Sequence, residues 1–145
     1  MTHPETVTLS LDDIHALAVA AFTAQGCDAD NAAALARTVT TAERDGSISH
    51  GLFRVPGYVA SLNSGKVKGD AVPVVRNDLA SVVSVDGCHG YTPLALERGL
   101  PVLARAATET GIAIMRIYNS YHFAALWPET EYLAEQGLVL SLIHI

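Results

Sequence analysis

Ser81-Val82-Val83-Ser84-Val85-Asp86-Gly87-Cys88-His89-Gly90-Tyr91-Thr92-Pro93 reads in one pass as a strand, a turn and a helix start. The β-branched run 81–85 is short and apolar, and 86–90 is a turn signal. Thr92-Pro93 offers an N-cap followed by proline at the first helical position. A helix running on towards Thr110 would bury Leu96, Leu100, Leu103 and Ala107, with a kink expected at Gly99 and Pro101. Gly111 then caps it, and Ile112-Ala113-Ile114-Met115-Arg116-Ile117 is the next strand. A strand, helix, strand unit of this length predicts a right-handed crossover and an α/β fold.

The chain before this unit reads differently. Ser10 can cap a helix whose first turn carries Asp12 and Asp13. Ile14, Leu17, Ala18, Ala21 and Phe22 follow the spacing of one buried helical face, and Gly26 ends it. Asp28 or Asp30 can cap a second helix with the small-residue face Ala32, Leu35, Ala36 and Val39, so the two helices should form an antiparallel hairpin. A third helix holds Val55, Tyr58, Val59 and Leu62, with Pro56 confined to its first turn. A domain boundary is expected in the polar stretch after Gly65, giving a helical domain at 1–68 and an α/β domain at 69–145. Beyond the crossover, 129–136 reads as helix and 138–143 as a buried strand. The chain stops inside that apolar run with no turn or cap, and a longer parent protein is the expectation.

Composition narrows the partners. The chain has 145 residues, half of them hydrophobic, and fifteen Asp and Glu outnumber nine Lys and Arg for a formal charge of −6. With the basic residues scattered, electrostatic binding to nucleic acid is not expected. No apolar run approaches a membrane span, and the first residues lack the basic flank and apolar core of a signal peptide. Cys27 and Cys88 match neither a disulfide framework nor a CxxC pair. The expectation is a cytoplasmic protein.

Chemistry concentrates in two clusters. In Ser49-His50-Gly51-Leu52-Phe53-Arg54, a helix would set His50 and Arg54 four apart on one face. That pairs a proton carrier near neutral pH with a group that grips carboxylates bidentately, which a small 2-oxo or 2-imino acid requires. On residue types alone, a capped helix start with a solvated Arg54 accounts for the segment better. A turn at 49–54, as Pro56 allows, would weaken the shared-face geometry. The second cluster, Asn119-Ser120-Tyr121-His122-Phe123, follows a strand directly, where α/β proteins place ligand-binding loops; a hydrogen-bonded turn accounts for it equally well. Gly87 to Gly90 lacks the GxGxxG and GK[ST] fingerprints and reads as a tight turn with His89 exposed. No His or carboxylate spacing suits a metal, so none is expected. Ser49 directly before His50 is a poor nucleophile and base pair, and no GxSxG elbow exists. Trp127 reads as a packing residue; His3, His15 and His144 read as surface or tail residues.

The two clusters together resemble the malate/L-lactate dehydrogenase family of non-Rossmann oxidoreductases. The resemblance spans nearly the whole chain: Ser49-His50-Gly51 with Arg54 and Tyr58, Val85-Asp86-Gly87 with Gly90, Gly111-Ile112-Ala113, Asn119-Ser120 with His122-Phe123, and Glu135-Gln136-Gly137-Leu138. Two departures stand out. An Arg-Gly pair is usual before SHG where this chain has Arg44-Asp45-Gly46, and a glycine is usual where Ala124 stands. Phe123-Ala124-Ala125-Leu126-Trp127-Pro128 looks most like the cyclic imine reductases acting on Δ1-piperideine-2-carboxylate and Δ1-pyrroline-2-carboxylate.

The resemblance implies a small N-terminal helical domain, then part of a non-Rossmann α/β NAD(P)-binding domain with a mixed sheet. It implies a homodimer in full length, using NADPH or NADH on a 2-imino or 2-oxo acid. His50 would be the proton donor with Ser49 beside it, Arg54 would hold the substrate carboxylate, and Asn119, Ser120 and His122 would meet the cofactor. Family members are more than twice as long, so this chain alone is expected to be inactive. A malate/L-lactate or ureidoglycolate-type 2-hydroxy acid dehydrogenase is the nearest alternative, and a non-catalytic dimerisation module is one of another class.

Overall fold

The computed structural model describes residues 7–143, so His3 and His144 lie outside the described residues. Helix α1 (Leu11–Ala24) opens with a reciprocal capping box. Asp13 N–H donates to Ser10 Oγ at 3.1 Å, and Ser10 N–H donates back to the Asp13 carboxylate at 3.3 Å. Its buried face is narrower than the periodicity indicated: Ile14, Ala18 and Phe22 are inside, whereas Leu17 is half in solvent. Helix α2 (Ala29–Arg44) is capped by Asp28 rather than Asp30, through a 2.9 Å bond from Asn31 N–H. The two helices pack as the expected hairpin around Phe22, Leu35 and Val39.

Residues 49–54 are not part of an α-helix. Two 3₁₀ turns, Ile48–His50 and Leu52–Arg54, meet at Gly51, and only then does α3 (Val55–Asn63) begin, with Pro56 in its first turn. Proline at that point removes no helical hydrogen bond, so it fixes where the regular helix can start.

Strands β1 (Val74–Leu79) and β2 (Val82–Asp86) pair antiparallel with an irregularity between Arg76 and Leu79. Helix α4 (Thr92–Thr110) then leads to β3 (Ile114–Tyr118), which pairs parallel with β2 in the order β1-β2-β3. The strand–helix–strand unit β2-α4-β3 is the one the sequence predicts, and the mixed pairing is the one the resemblance implies. Tyr91, not Thr92, is the N-cap residue, because Thr92 already has helical geometry and its hydroxyl donates to Ser120 Oγ at 3.0 Å. Helix α4 continues through Gly99 and Pro101. Gly99 lies against the sheet: a Cβ there would stand 2.6 Å from Met115 Sδ and 2.8 Å from Val85 Cγ2.

Helix α5 (Trp127–Ala134) closes the regular structure. Residues 138–143 do not form the expected strand, since the sheet has three strands and none of them pairs with this run. Leu138 and Leu140 pack on the second core while Val139 is 99% exposed and Ile143 81% exposed. The alternation is there, but without a ladder partner it makes no sheet. That second core holds Val83, Val85, Leu96, Leu100 and Leu103, whereas Tyr91 and Val67 join the helical core. Ties between the two include Asn31 Nδ2 donating to the Ala71 carbonyl at 2.9 Å, and Lys68 N–H to the His89 carbonyl at 2.9 Å.

Candidate active site

Helix α2 ends at Arg44, and the chain turns through Gly46 into the two 3₁₀ turns, so His50 and Arg54 do not share a helical face. The turn is held by Glu43. Its Oε1 accepts the Leu52 N–H at 2.7 Å and lies where a side chain on residue 51 would be, 2.0 Å from the Cβ an alanine would add. Glycine at 51 is thus required by a close approach. Within the turn, Ser49 Oγ stands 2.9 Å from His50 Nδ1, with Ser47 Oγ at 3.4 Å. The adjacency that argued against a Ser49–His50 contact does not prevent it, because the tight 3₁₀ geometry brings the hydroxyl onto the ring. With Nδ1 occupied by hydroxyls, Nε2 is the nitrogen left for a ligand.

The His50 ring also meets Trp127 edge to face, with centroids 6.2 Å apart and planes at 76°. Trp127 Nε1–H donates to Asp45 Oδ2 at 2.8 Å, and Arg44 grips the same carboxylate at 2.7 and 3.0 Å. Hydrogen bonds from Arg44, then from Trp127, hold the Asp45 carboxyl below the ordinary carboxylate range.

Arg54 reaches across to the second cluster, where its Nη2 contacts His122 Nε2. His122 Nδ1 accepts the Ala124 N–H at 3.0 Å. A guanidinium only donates and a neutral imidazole has one acceptor nitrogen, so Arg54 donating to Nε2 and the Ala124 N–H donating to Nδ1 belong to alternative tautomers of the His122 ring. Burial lowers the His122 pKa, and the charges of Arg54 and then His50 lower it further. A neutral ring is thereby kept beside a fixed cation. Tyr58 packs edge to face on His122, centroids 4.8 Å apart, and burial pushes its phenol up to about 12. Its hydroxyl is buried without a hydrogen-bond partner.

Strain marks the same loop. Asn119, His122 and Ala124 have φ of 50°, 59° and 60°, the left-handed region that non-glycine residues seldom occupy and that collects at ligand sites. Asn119 Nδ2 donates to Asp86 Oδ1 at 3.2 Å, and the main chain ties Tyr121 N–H to the Gly90 carbonyl at 2.9 Å. These bonds clamp the loop to the turn at 87–90, where His89 is exposed, as expected of it. Asn119, Ser120 and His122 line one side of a cavity of about 550 Å³, whose floor is the apolar face of α4 and β3. The predicted site residues therefore fall into three places. Ser49 and His50 stand together, Arg54 and His122 stand together, and Asn119 and Ser120 sit at the cavity rim.

Residues 9–144 match the malate/L-lactate dehydrogenase family model. The chain belongs to the malate/L-lactate dehydrogenase family. It is 47% identical over 133 residues to Δ1-pyrroline-2-carboxylate reductase 1 of Burkholderia ambifaria, covering 92% of this chain and 39% of the relative. It is 46% identical over 140 residues to the Δ1-pyrroline-2-carboxylate/Δ1-piperideine-2-carboxylate reductase of Pseudomonas syringae pv. tomato, covering 96% and 41%. The solved structure of Δ1-piperideine-2-carboxylate reductase from that organism superposes with a TM-score of 0.87 at 45% identity, over 91% of this chain and 40% of that one. Malate dehydrogenase of Pyrococcus horikoshii superposes with a TM-score of 0.81 at 26% identity, over 90% and 38%. The chain thus spans about two fifths of the length of the relatives it matches.

Against this malate/L-lactate dehydrogenase background, three residues at the site escaped the sequence reading. Glu43 and Ser47 were not singled out, and Trp127 read as packing. The Asp45 that departs from the usual Arg-Gly pair is the residue that receives the Trp127 indole.

Proposed function

We propose that the chain is part of an NAD(P)H-dependent oxidoreductase that reduces a cyclic 2-imino acid, Δ1-piperideine-2-carboxylate or Δ1-pyrroline-2-carboxylate. The observation that carries the reading is the direct contact of the Arg54 guanidinium with the His122 ring, which brings the two clusters to one place. A substrate carboxylate is an acceptor that the guanidinium can grip through two parallel N–H groups, which would fix its orientation. His50 Nε2 is the proton donor, delivering its proton to the imine nitrogen as C2 receives hydride. The product is the saturated cyclic amino acid. Ser49 orients the His50 ring through Nδ1 and leaves the reacting nitrogen exposed.

The nicotinamide cofactor, NADPH or NADH, supplies the hydride when bound. Asn119, Ser120 and His122 would hold it. The buried, unpartnered Oε2 of Glu129 in the wall of the same cavity fits a polar ligand there. His122 stands at the junction, so the carboxylate end of the substrate and the nicotinamide end of the cofactor meet at one ring. The reading extends to a cytoplasmic homodimer in which 1–68 is a helical domain and 69–145 begins the cofactor domain.

The likeness to the Pyrococcus malate dehydrogenase favours a second reading, a 2-hydroxy acid dehydrogenase using the same proton donor and carboxylate grip. The full-length protein should be assayed for NADPH and NADH oxidation with both cyclic imines, pyruvate and oxaloacetate. Turnover confined to the imines supports the first reading, and turnover of the oxo acids moves the assignment to the second. No turnover and no nucleotide binding removes both.

A further inference from the structure

Glu129 occupies the first turn of α5 and is 5% exposed, yet its Oε2 has no hydrogen-bond partner among the described residues. Unpartnered buried carboxyl oxygens are costly and uncommon, so one calls for an explanation. The helix start accounts for one oxygen only, since the Glu129 amide itself is the hydrogen bond that opposes the pKa rise caused by burial. Two polar side chains that share the wall of a second cavity with it are committed elsewhere. Arg37 is paired with Glu97 at 2.6 and 2.7 Å, and Thr38 donates to the Ala34 carbonyl at 3.1 Å. Glu129 forms part of the wall of the 550 Å³ cavity that also holds Asn119, Ser120 and His122, and of a neighbouring 260 Å³ cavity between α2, α4 and α5.

We propose that the Glu129 carboxyl is the anchor for the carboxamide of the cofactor's nicotinamide ring, an inference that rests on the reading of the site given above. A carboxyl offers an acceptor and, when protonated, a donor, which matches the NH2 and C=O of a primary amide. A bare cation would need the ionised form, which burial opposes, and no cluster of three metal-ligating side chains exists among the described residues. Glu129 and His122 line the same cavity, so Arg54 and His122 would take the substrate carboxylate while Glu129 would hold the carboxamide.

The test measures nucleotide dissociation constants on the full-length protein, by fluorescence quenching, for NADPH and its 3-acetylpyridine analogue, in which a methyl replaces the amide NH2. Wild type should bind the analogue about tenfold more weakly, the size of a lost buried hydrogen bond. Glu129→Leu should lose about tenfold in NADPH affinity and no longer distinguish the two nucleotides, while Glu129→Gln, which keeps a donor and an acceptor, stays within about threefold of wild type. The leucine variant should also melt at a higher temperature, because an apolar group replaces an unpartnered carboxyl. A leucine variant that melts lower and binds both nucleotides as wild type does shows a purely structural Glu129 and overturns the inference alone. Equal affinity of wild type for the two nucleotides overturns it even if the leucine variant fails to fold. Wild type that binds no NADPH overturns both this inference and the reading beneath it.

Discussion

The Trp127 indole N–H and the Asp45 carboxylate meet at 2.8 Å across 82 residues of sequence, and this bond sets an aromatic edge against His50. Trp127→Phe keeps the edge and loses the hydrogen bond, and should lower the stability slightly. Trp127→Leu removes the edge as well and should lower kcat in the full-length enzyme by about tenfold, since small displacements of a catalytic group are costly. Urea unfolding and steady-state kinetics on both variants check this. An unchanged kcat for the leucine variant would mean that His50 does not depend on the indole.

Acid should act on the same bond. Hydrogen bonds from Arg44 and then from Trp127 hold the folded Asp45 pKa below its ordinary 3.8, so their joint contribution is complete above that value and is lost as pH falls through the folded pKa. Thermal melts of wild type and Asp45→Asn should differ at pH 6 and converge towards pH 2.

His50→Ala should reduce turnover by roughly two to four orders of magnitude, the range of a general-acid effect. Arg54→Lys should raise KM more than it lowers kcat, because lysine cannot make a bidentate grip. Wild-type kinetics in either variant would take that residue out of the reacting set.

His122 titrates below its ordinary 6.5 because it is buried beside Arg54 and His50. The unfolded chain therefore takes up this proton first as pH falls, and stability declines from about pH 6.5 downward until the folded ring also protonates. His122→Gln should flatten that part of the curve in melts between pH 8 and pH 5. A slope identical to that of wild type would assign the decline to another group.

Gly51→Ala should displace Glu43 from the Leu52 amide, because the new methyl would sit 2.0 Å from Oε1. A cost of roughly 1–3 kcal/mol follows from overpacking and the lost bond. In the Glu43→Ala background the same change should cost much less, and a double-mutant cycle in urea measures the difference.

The elements of this chain were legible because their signals are local. Ser10 and Asp28 cap helices from three residues away, Gly111 ends α4 in a left-handed turn, and the apolar spacing of Phe22, Leu35 and Val39 fixes which faces turn inward. The β2-α4-β3 unit followed from the same local cues. The apolar run at 138–143 was equally clear and made no strand, since a ladder needs a partner that a local run cannot supply.

The site divides in the same way. Residue types alone left His50 and Arg54 as an ordinary helix start and His122 as an open question, and it was the family resemblance of the two motifs that assigned them roles; local chemistry did mark Pro56 as belonging to the first turn of α3. Only the tertiary structure set Arg54 against His122, 68 positions away, turned Trp127 onto His50, and buried Glu129 without a partner. Those outcomes depend on how α2, α5 and the loop at 119–124 pack together. Packing determines distance and dielectric, and these convert an ordinary histidine into one held neutral beside a fixed cation.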